Sequence, residues 1–498
     1  MTRVLRATDL SEHMHEDWAE AKRPIRVLLI QPPTSGCVRS LLPQVEQDGE
    51  GIGFKPPLGL LYVASMTAAS TPHEVKVIDA IGQRKSFDDL VAEARAFEPD
   101  LIGISAWTDW WYPAYHTGEL LKEALPKAHL CYGGPHVSIY AQATLDVPFV
   151  DSVIVGDGEV PFMCLANMLA NDKLDNRLPG LHLKQHGVKE CQQFFIHDDL
   201  DNLPLPDRRM LPLEPYSSVL GKGRLLTTMV TSRGCPHKCT FCKLNFQKTL
   251  CRSADNVLRE FEDIHSLGIK EVELYDDTFT WARQRVLDIC QGLIDRQLGL
   301  EWAVRDRVSN ARVDLLDRMY AAGCRRVHYG IESGVDRVLE KMRKKTTVRL
   351  ARRAVQIAKD TGLTVLTYFM FGNLDETLDD MQRTIDFALE LDADFCEFSI
   401  TIPYAGTEMY EEALETGLIK EDYWAEYARK PVPDFMPPKL IETAASLEQL
   451  IEIRNRAVRS FYFRPKYIIN QARKVTNPVE FLRKAKMGGK LFNSVYAR

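Results

Sequence analysis

Three cysteines fall within eight residues, in the run Ser232-Arg-Gly-Cys235-Pro-His-Lys-Cys239-Thr-Phe-Cys242. The run leaves an apolar, strand-like stretch and ends before the next helical pattern, so all three thiols sit on one short loop. Gly234 lets the backbone approach a ligand closely, and Pro236 stiffens the turn. Two inorganic centres suit such a loop. An iron–sulfur cluster is held by Cys thiolates, usually four. With three, one iron keeps an open coordination position, as a catalytic zinc keeps one for water or substrate. The alternative is a structural zinc held by the three cysteines and His237, which requires His237 to turn inward from between two ligands. The spacing favours the cluster and leaves zinc open.

The other eight cysteines, Cys37, Cys131, Cys164, Cys191, Cys251, Cys290, Cys324 and Cys396, are scattered singly. The chain's odd total of eleven and the wide spacing of these eight argue against a secreted disulfide framework; they read as small buried apolar side chains. The 498 residues carry 63 Lys and Arg against 69 Asp and Glu, a net charge of −6. That balance gives no general field for gripping a polyanion, so nucleic acid is not an expected partner. Hydrophobic content of 45% and charged content of 27% are globular values and exclude a disordered or fibrous chain. No apolar run reaches the ~18 residues of a membrane span, and the start has no signal-peptide core. A soluble cytoplasmic protein is expected.

The elements around the loop form two α/β series. In residues 25–170, short apolar strands at 26–31, 75–79, 101–105, 129–132 and 150–155 alternate with helical patterns, including 58–67 and 87–97. This predicts a doubly wound, Rossmann-like parallel sheet, which binds ligands beyond the carboxyl ends of its strands. Gly133-Gly134-Pro135-His136 and Gly156-Asp157-Gly158-Glu159 both lie at such ends. Residues 1–24 read as a polar arm and 171–223 as a connector rich in Pro, Asp and Asn, with Leu203-Pro-Leu-Pro-Asp207 a breaker. Over 224–430 come strands at 226–233, 271–275, 300–304, 326–329, 364–370 and 395–400, each followed by a helical segment. Gly268, Gly323 and Gly362 terminate helices and feed strands. Six βα units fall short of the eight of a closed barrel, so a partial (β/α)6 TIM-type barrel is expected. Residues 431–498 begin Pro-rich and continue as a helical C-terminal extension. Residues 461–498 hold nine Lys or Arg against one acid, Glu480, which suits a solvated helical face or peripheral contact with a membrane surface.

The Cys-x3-Cys-x2-Cys spacing after the first strand of a βα series resembles the radical S-adenosylmethionine (SAM) enzymes. Tyr275-Asp276-Asp277-Thr278-Phe279, Arg307, Gly330-Ile331-Glu332-Ser333-Gly334, Phe371-Gly372-Asn373 and Pro403-Tyr404-Ala405-Gly406-Thr407 are similar to that family's segments at the ends of the second to sixth strands, in order. The N-terminal half resembles the cobalamin-binding domain fused to one large class of these enzymes, through Pro56-Pro57-Leu58-Gly59-Leu60 and the two glycine clusters. Leu203-Pro-Leu-Pro-Asp207 is similar to the bridge between the domains, and Phe461-Tyr462-Phe463-Arg464-Pro465 to the C-terminal tail.

The resemblance implies a 4Fe-4S cluster on Cys235, Cys239 and Cys242. Its open iron would chelate SAM, and one electron would cleave SAM to a 5′-deoxyadenosyl radical. Asp276, Asp277 and Ser333 are the candidates for the methionine amino and carboxylate ends; Glu332 and Arg307 for the ribose or carboxylate. Asp276 and Asp277 read equally as first-turn acids before a helix at Ala282, and Arg307 as a surface ion pair. Gly133, Gly134, His136, Gly156, Gly158 and Glu159 are the implied cobalamin contacts, with Trp107, Trp110 and Trp111 able to pack on the corrin or in the core. No Asp-x-His-x-x-Gly motif is present, so no histidine from that motif would reach cobalt, and Asp157 stands where Glu is usual. The implied activity is methyl transfer to an unactivated carbon of a small biosynthetic intermediate, with an external flavodoxin- or ferredoxin-type electron donor. A non-methylating relative such as an oxidative cyclase is the second reading. An RNA methylthiotransferase would need a second cysteine triplet, and a cobalamin carrier would need none.

Overall fold

The computed structural model describes residues 4–6, 15–38, 54–188, 194–218, 220, 225–243, 248–437, 445–474 and 478–496. Cys191 lies outside them. The chain divides into two compact units, one built from Met1–Arg39, Pro56–Pro215 and Asp422–Pro437, the other from Ser40–Lys55, Tyr216–Glu421 and Pro438–Arg498.

The first unit contains strands β1 (Val4–Arg6), β2 (Arg26–Gln31), β3 (Glu74–Asp79), β4 (Leu101–Ser105), β5 (His129–Gly133), β6 (Ser152–Ile154), β7 (Leu181–Leu183) and β8 (Phe194–Ile196). Six form one sheet in the order β3-β2-β4-β5-β6-β7. The order turns back at β2, so the doubly wound expectation holds, with the switch point between β2 and β4. β2, β4 and β5 are almost wholly buried, as a sheet covered on both faces requires. One feature differs from expectation. β7 comes from the supposed connector and joins β6 antiparallel, because Leu181 and Leu183 extend the apolar face. A second concerns the helix Tyr423–Arg429, which follows the barrel in sequence yet packs in this unit. Trp111 donates its indole N–H to Ala428 O at 3.0 Å, and Tyr427 Oη accepts from Tyr112 N at 3.1 Å. Trp424 and Tyr427 are buried, and an aromatic pair of that size requires a core.

The second unit contains β9 (Leu226–Met229), β10 (Ser232–Arg233), β11 (Leu250–Cys251), β12 (Glu271–Leu274), β13 (Glu301–Asp306), β14 (Cys324–Glu332), β15 (Thr364–Phe371) and β16 (Phe395–Ile400). The sheet order β16-β15-β14-β13-β12-β9 is parallel throughout and follows the sequence, giving an open six-stranded βα barrel. The expected strand over 226–233 is broken: β9 stops at Met229, and β10 turns aside to pair antiparallel with β11. Gly268, Gly323 and Gly362 all have positive φ (+75°, +101° and +93°), the left-handed backbone that ends a helix before a strand.

An open barrel leaves β16 with an unpaired edge, a liability unless covered. The helix Leu447–Tyr462 packs on that strand. Phe461 meets Phe398 edge-on at 6.2 Å. Tyr462 Oη both accepts from Cys396 N (3.0 Å) and donates to Cys396 O (2.7 Å), standing in for a neighbouring strand. Tyr462→Phe strands both backbone groups, and its expected cost is about 1–3 kcal/mol, read as a lower denaturant midpoint with an unchanged slope.

Candidate active site

The first loop of the barrel is shaped by the strand break. Asp276, directly after β12, is buried and accepts from Thr231 N (2.6 Å), Thr231 Oγ1 (2.5 Å) and Ser232 Oγ (2.6 Å). Arg252 Nη1 donates to Val230 O (2.9 Å) and Arg285 Nη2 to Thr231 O (2.7 Å), so the carbonyls of both residues that leave the sheet are taken. The chain then passes through Gly234, with φ +88°, into the triplet. Cys235 is buried with its sulfur 3.6 Å from Thr278 Oγ1, Cys239 is half-buried, and Cys242 is exposed with its N–H bonded back to Cys239 O at 3.1 Å.

Arg307 follows β13, buried, and its Nη1 lies 3.8 Å from Cys239 Sγ. Its Nη2 donates to Lys344 O, while Nε is buried without a partner. Lys344 Nζ in turn bonds Glu332 Oε1 at 2.7 Å. Glu332 ends β14 at φ +71°, a backbone region that is costly for a residue with a Cβ. Gly330 belongs to the same arrangement, because a Cβ there would stand 2.4 Å from Glu332 Oε1. Cys239, Arg307, Lys344 and Glu332 thus form one connected group.

The other implied SAM contacts divide. Asp277 is exposed, and its carboxyl is pushed up by desolvation and by Asp276. Asp276 is neither a free ligand nor a helix cap; it is the clasp of the loop. Ser333 is fully buried and bonded to Thr384 Oγ1 (3.2 Å) and Val335 N (3.2 Å), which fits a structural role at the following helix.

The donor set fits a cluster. Three sulfurs around one tetrahedral zinc with 2.3 Å bonds would stand about 3.8 Å apart. Among the described residues, the metal-ligating atoms that all lie within 4.8 Å of one another are those of Asp157, Glu159 and His197, not the thiols. His237 packs toward Trp281, ring centroids 6.3 Å apart. Desolvation, then Cys239, Asp277 and Cys235, push the Cys242 thiol up to about 11, so a strongly cationic core is what would hold all three as thiolates.

Sequence reasoning missed the barrel interior. On β16, alternate residues Phe395, Glu397 and Ser399 are half-buried, while Cys396, Phe398 and Ile400 are buried against helices. Register places Tyr368 beside Glu397 and Arg305 beside His328. Arg305 lies 3.8 Å over the Tyr275 ring, and Arg326 Nη2 donates to Glu273 Oε1 at 2.7 Å. Glu397 is pushed up by burial against the pull of Arg305. Polar residues at alternate positions of otherwise apolar strands were the available signal.

In the first unit, the glycine clusters leave bare backbone at the carboxyl ends of the strands. A Cβ on Gly133 would find its nearest atom 3.9 Å away, and one on Gly59 would meet nothing within 4 Å. Gly134, φ +105°, crosses so close to Ala106 that a Cβ would stand 2.7 Å from its carbonyl oxygen. Gly156 also has positive φ, +94°. This strip fits a broad, flat ligand such as a corrin. Trp107 is 49% exposed beside it in sequence. His136, by contrast, is fully buried, stacked on Trp111 at 4.2 Å, and pushed down to about 3 by that burial, so it acts as a neutral core histidine. Glu159 is buried and faces His197, and Gly158 opens its helix. Of the scattered cysteines, Cys131, Cys164, Cys290, Cys324 and Cys396 are buried as expected, whereas Cys37 and Cys251 are half-buried.

A partial barrel with three thiols on its first loop, joined in one chain to a doubly wound module with a bare carboxyl edge, defines a two-cofactor radical enzyme. Comparison with known proteins agrees. Residues 229–388 match the radical SAM superfamily model and residues 53–166 the B12-binding domain. The uncharacterized methyltransferase PH0819 of Pyrococcus horikoshii is 32% identical over 451 residues, covering 89% of this chain and 94% of that protein. Cytidylyl-2-hydroxyethylphosphonate methyltransferase of Streptomyces wedmorensis is 26% identical, covering 80% and 84%. Among solved structures, the methyltransferase TsrM of Kitasatospora setae, with cobalamin and a [4Fe-4S] cluster bound, superposes with a TM-score of 0.64 at 18% identity, covering 80% of this chain and 79% of that one. OxsB with aqua-cobalamin and SAM gives the same score and identity over 95% and 72%. The chain belongs to the cobalamin-binding radical SAM enzymes, and methyltransferase is the reading its relatives support. No described helix is long and apolar enough to cross a membrane.

One buried acid near the site titrates in an accessible range. Glu376 is fully buried after β15, with Oε2 accepting from Gly372 N (2.8 Å) and Asn373 N (2.9 Å), and burial pushes it up to about 7. A raised carboxyl contributes stability that is full below its unfolded value and is lost as pH climbs through the folded one. The wild-type protein is therefore expected to lose on the order of 2–3 kcal/mol between pH 5 and 8 from this group. Glu376→Gln, which cannot ionise, should flatten that part of the pH profile of thermal unfolding.

Proposed function

We propose that this protein is a cobalamin-dependent radical SAM methyltransferase that places a methyl group on an unactivated carbon of a small biosynthetic intermediate. The observation that carries this reading is the single thiol loop with Arg307 against Cys239, in a chain that also presents the bare glycine strip of a B12-binding domain. When bound, the cluster supplies the electron that cleaves SAM, and cobalamin carries the methyl group. Every other task falls to the chain.

Cys235, Cys239 and Cys242 are the thiols that would hold the cluster beside SAM. Arg307 stabilises the Cys239 thiolate by charge and hydrogen bonding, and its unpartnered Nε suits a carboxylate such as that of SAM. Asp277 and Glu332 are the carboxylates able to meet the amino group or ribose. Asp276 and Ser333 act as positioning residues, since their oxygens are already engaged. Gly133, Gly134, Gly156 and Gly158 offer corrin contact through backbone, while His136 and Glu159 support the strip from within. Tyr275, Arg305, Tyr368 and Glu397 line the barrel interior, where a radical must be kept from water, and are the side chains placed to select the substrate.

The reading includes a reduced flavodoxin- or ferredoxin-type donor and a cytoplasmic setting. It also includes peripheral contact with an anionic membrane surface. The helices Pro465–Lys474 and Pro478–Tyr496 expose Ile468, Ile469, Leu482 and Phe492 in a strongly basic stretch.

Anaerobic reconstitution with iron, sulfide and hydroxocobalamin, followed by reduction with methyl-labelled SAM, tests the proposal without a known substrate. About four irons per chain, formation of 5′-deoxyadenosine, and label recovered on the corrinoid are expected. Cys239→Ala should lose the iron and the nucleoside product. Nucleoside formation with no label ever reaching the corrinoid would replace this reading with the cyclase one.

A further inference from the structure

The loop after β6 and the strand β8 bring together three side chains that the radical chemistry does not use. Gly156 forms a parallel bridge with Phe195, and Asp157 N donates to Phe195 O at 3.0 Å. Returning the contact, His197 N donates to Asp157 Oδ2 at 3.1 Å. Two residues on from Asp157, Glu159 opens the helix Glu159–Ala170 and turns its carboxylate toward the same ring: His197 Nε2 and Glu159 Oε2 are 3.5 Å apart. One donor atom from each of Asp157, Glu159 and His197 lies within 4.8 Å of the other two.

The spacing is informative. A direct N–H···O hydrogen bond closes to about 2.7–3.2 Å, so 3.5 Å is too long for one, and His197 Nε2 has no hydrogen-bond partner. His197 is 3% exposed, and a buried ring nitrogen in that state costs free energy unless something meets it. Two donors sharing one tetrahedral ion through bonds of about 2.1 Å stand about 3.4 Å apart. The ring is also held in orientation, edge-on to Phe195 at 4.8 Å and 85°. Asp157, half-buried, leaves the group reachable from solvent, while Glu159 and His197 are buried.

We propose that Asp157, Glu159 and His197 form a site for a single divalent cation, with borderline zinc as the fitting ion and the harder manganese as its competitor. One imidazole nitrogen and two carboxylates suit such ions better than magnesium or copper(I). Three protein ligands leave a coordination position for water or another donor. The ion ties the turn after β6 to β8, fixing the loop that carries Gly156 and Gly158. This site is separate from the thiol loop and does not depend on the methyltransferase reading.

Three thiols on one loop can compete for zinc, so the test uses full-length protein with Cys235, Cys239 and Cys242 all replaced by Ala. After chelator treatment, equilibrium dialysis against zinc chloride alone is expected to give one ion per chain with micromolar or tighter affinity. His197→Ala and Glu159→Gln, each added to that background, should weaken it at least a hundredfold, and Asp157→Asn should weaken it less. Cobalt(II) in place of zinc should give visible absorption bands that His197→Ala abolishes. A circular dichroism spectrum matching the parent separates loss of ligation from loss of fold. Where a variant unfolds, the cobalt spectrum of the parent decides, since a spectrum of fully hydrated cobalt overturns the site. No saturable zinc binding up to 100 times micromolar concentration, or binding indifferent to His197→Ala and Glu159→Gln, also overturns it.

Discussion

The barrel's chemistry depends on one buried carboxylate. Asp276 takes the N–H and hydroxyl of Thr231 and the hydroxyl of Ser232, and so breaks the first strand where a straight continuation would carry the thiols along the sheet. Arg252 and Arg285 hold the carbonyls that the break releases. Arg252 is itself anchored by a buried ion pair with Glu260 and by Asn256. A single negative charge with three donors and no competing water supplies what a flexible loop lacks, a fixed point of departure. Cys235 follows it by three residues, and the neighbouring Asp277 and Thr278 come from the same end of β12.

A second layer of polar bonding joins the ends of the later strands to that loop. Arg307 reaches from β13 to Cys239 and to the backbone of Lys344, whose ammonium fixes Glu332 at the end of β14. The links to Lys344 and Glu332 are buried and the one to Cys239 partly so, which makes each bond stronger than it would be in water and each missing partner costlier. The left-handed backbone of Glu332 is held in this setting, a local strain of the kind that clusters at functional sites.

Much of this was legible from the residues. Thiol spacing is local, so the three-thiol loop could be read directly, and helix-ending glycines announced strand starts because φ is a property of single residues. The sheet order of the barrel followed because consecutive βα units place strands side by side. Asp276 and Ser333 were harder. Whether a carboxylate or hydroxyl is free depends on who donates to it, and Thr231 and Thr384 are distant in sequence. β7 escaped notice because three residues carry too little periodicity to register. Asp157 and His197 lie forty positions apart, brought together by the bridge between Gly156 and Phe195 and the bond from His197 N to Asp157 Oδ2. No pattern along the chain marks such a meeting.

The pairing of Tyr462 with Cys396 has a consequence for how the barrel comes into being. Its sheet grows by simple addition, each new strand docking on the one just made, so during synthesis the growing margin always faces outward. That margin moves along the sheet until β16, where the helix ending at Tyr462 covers it. Until those residues leave the ribosome, the nascent barrel carries a template for unwanted strand partners, and a segment made only after all six strands serves as its stopper.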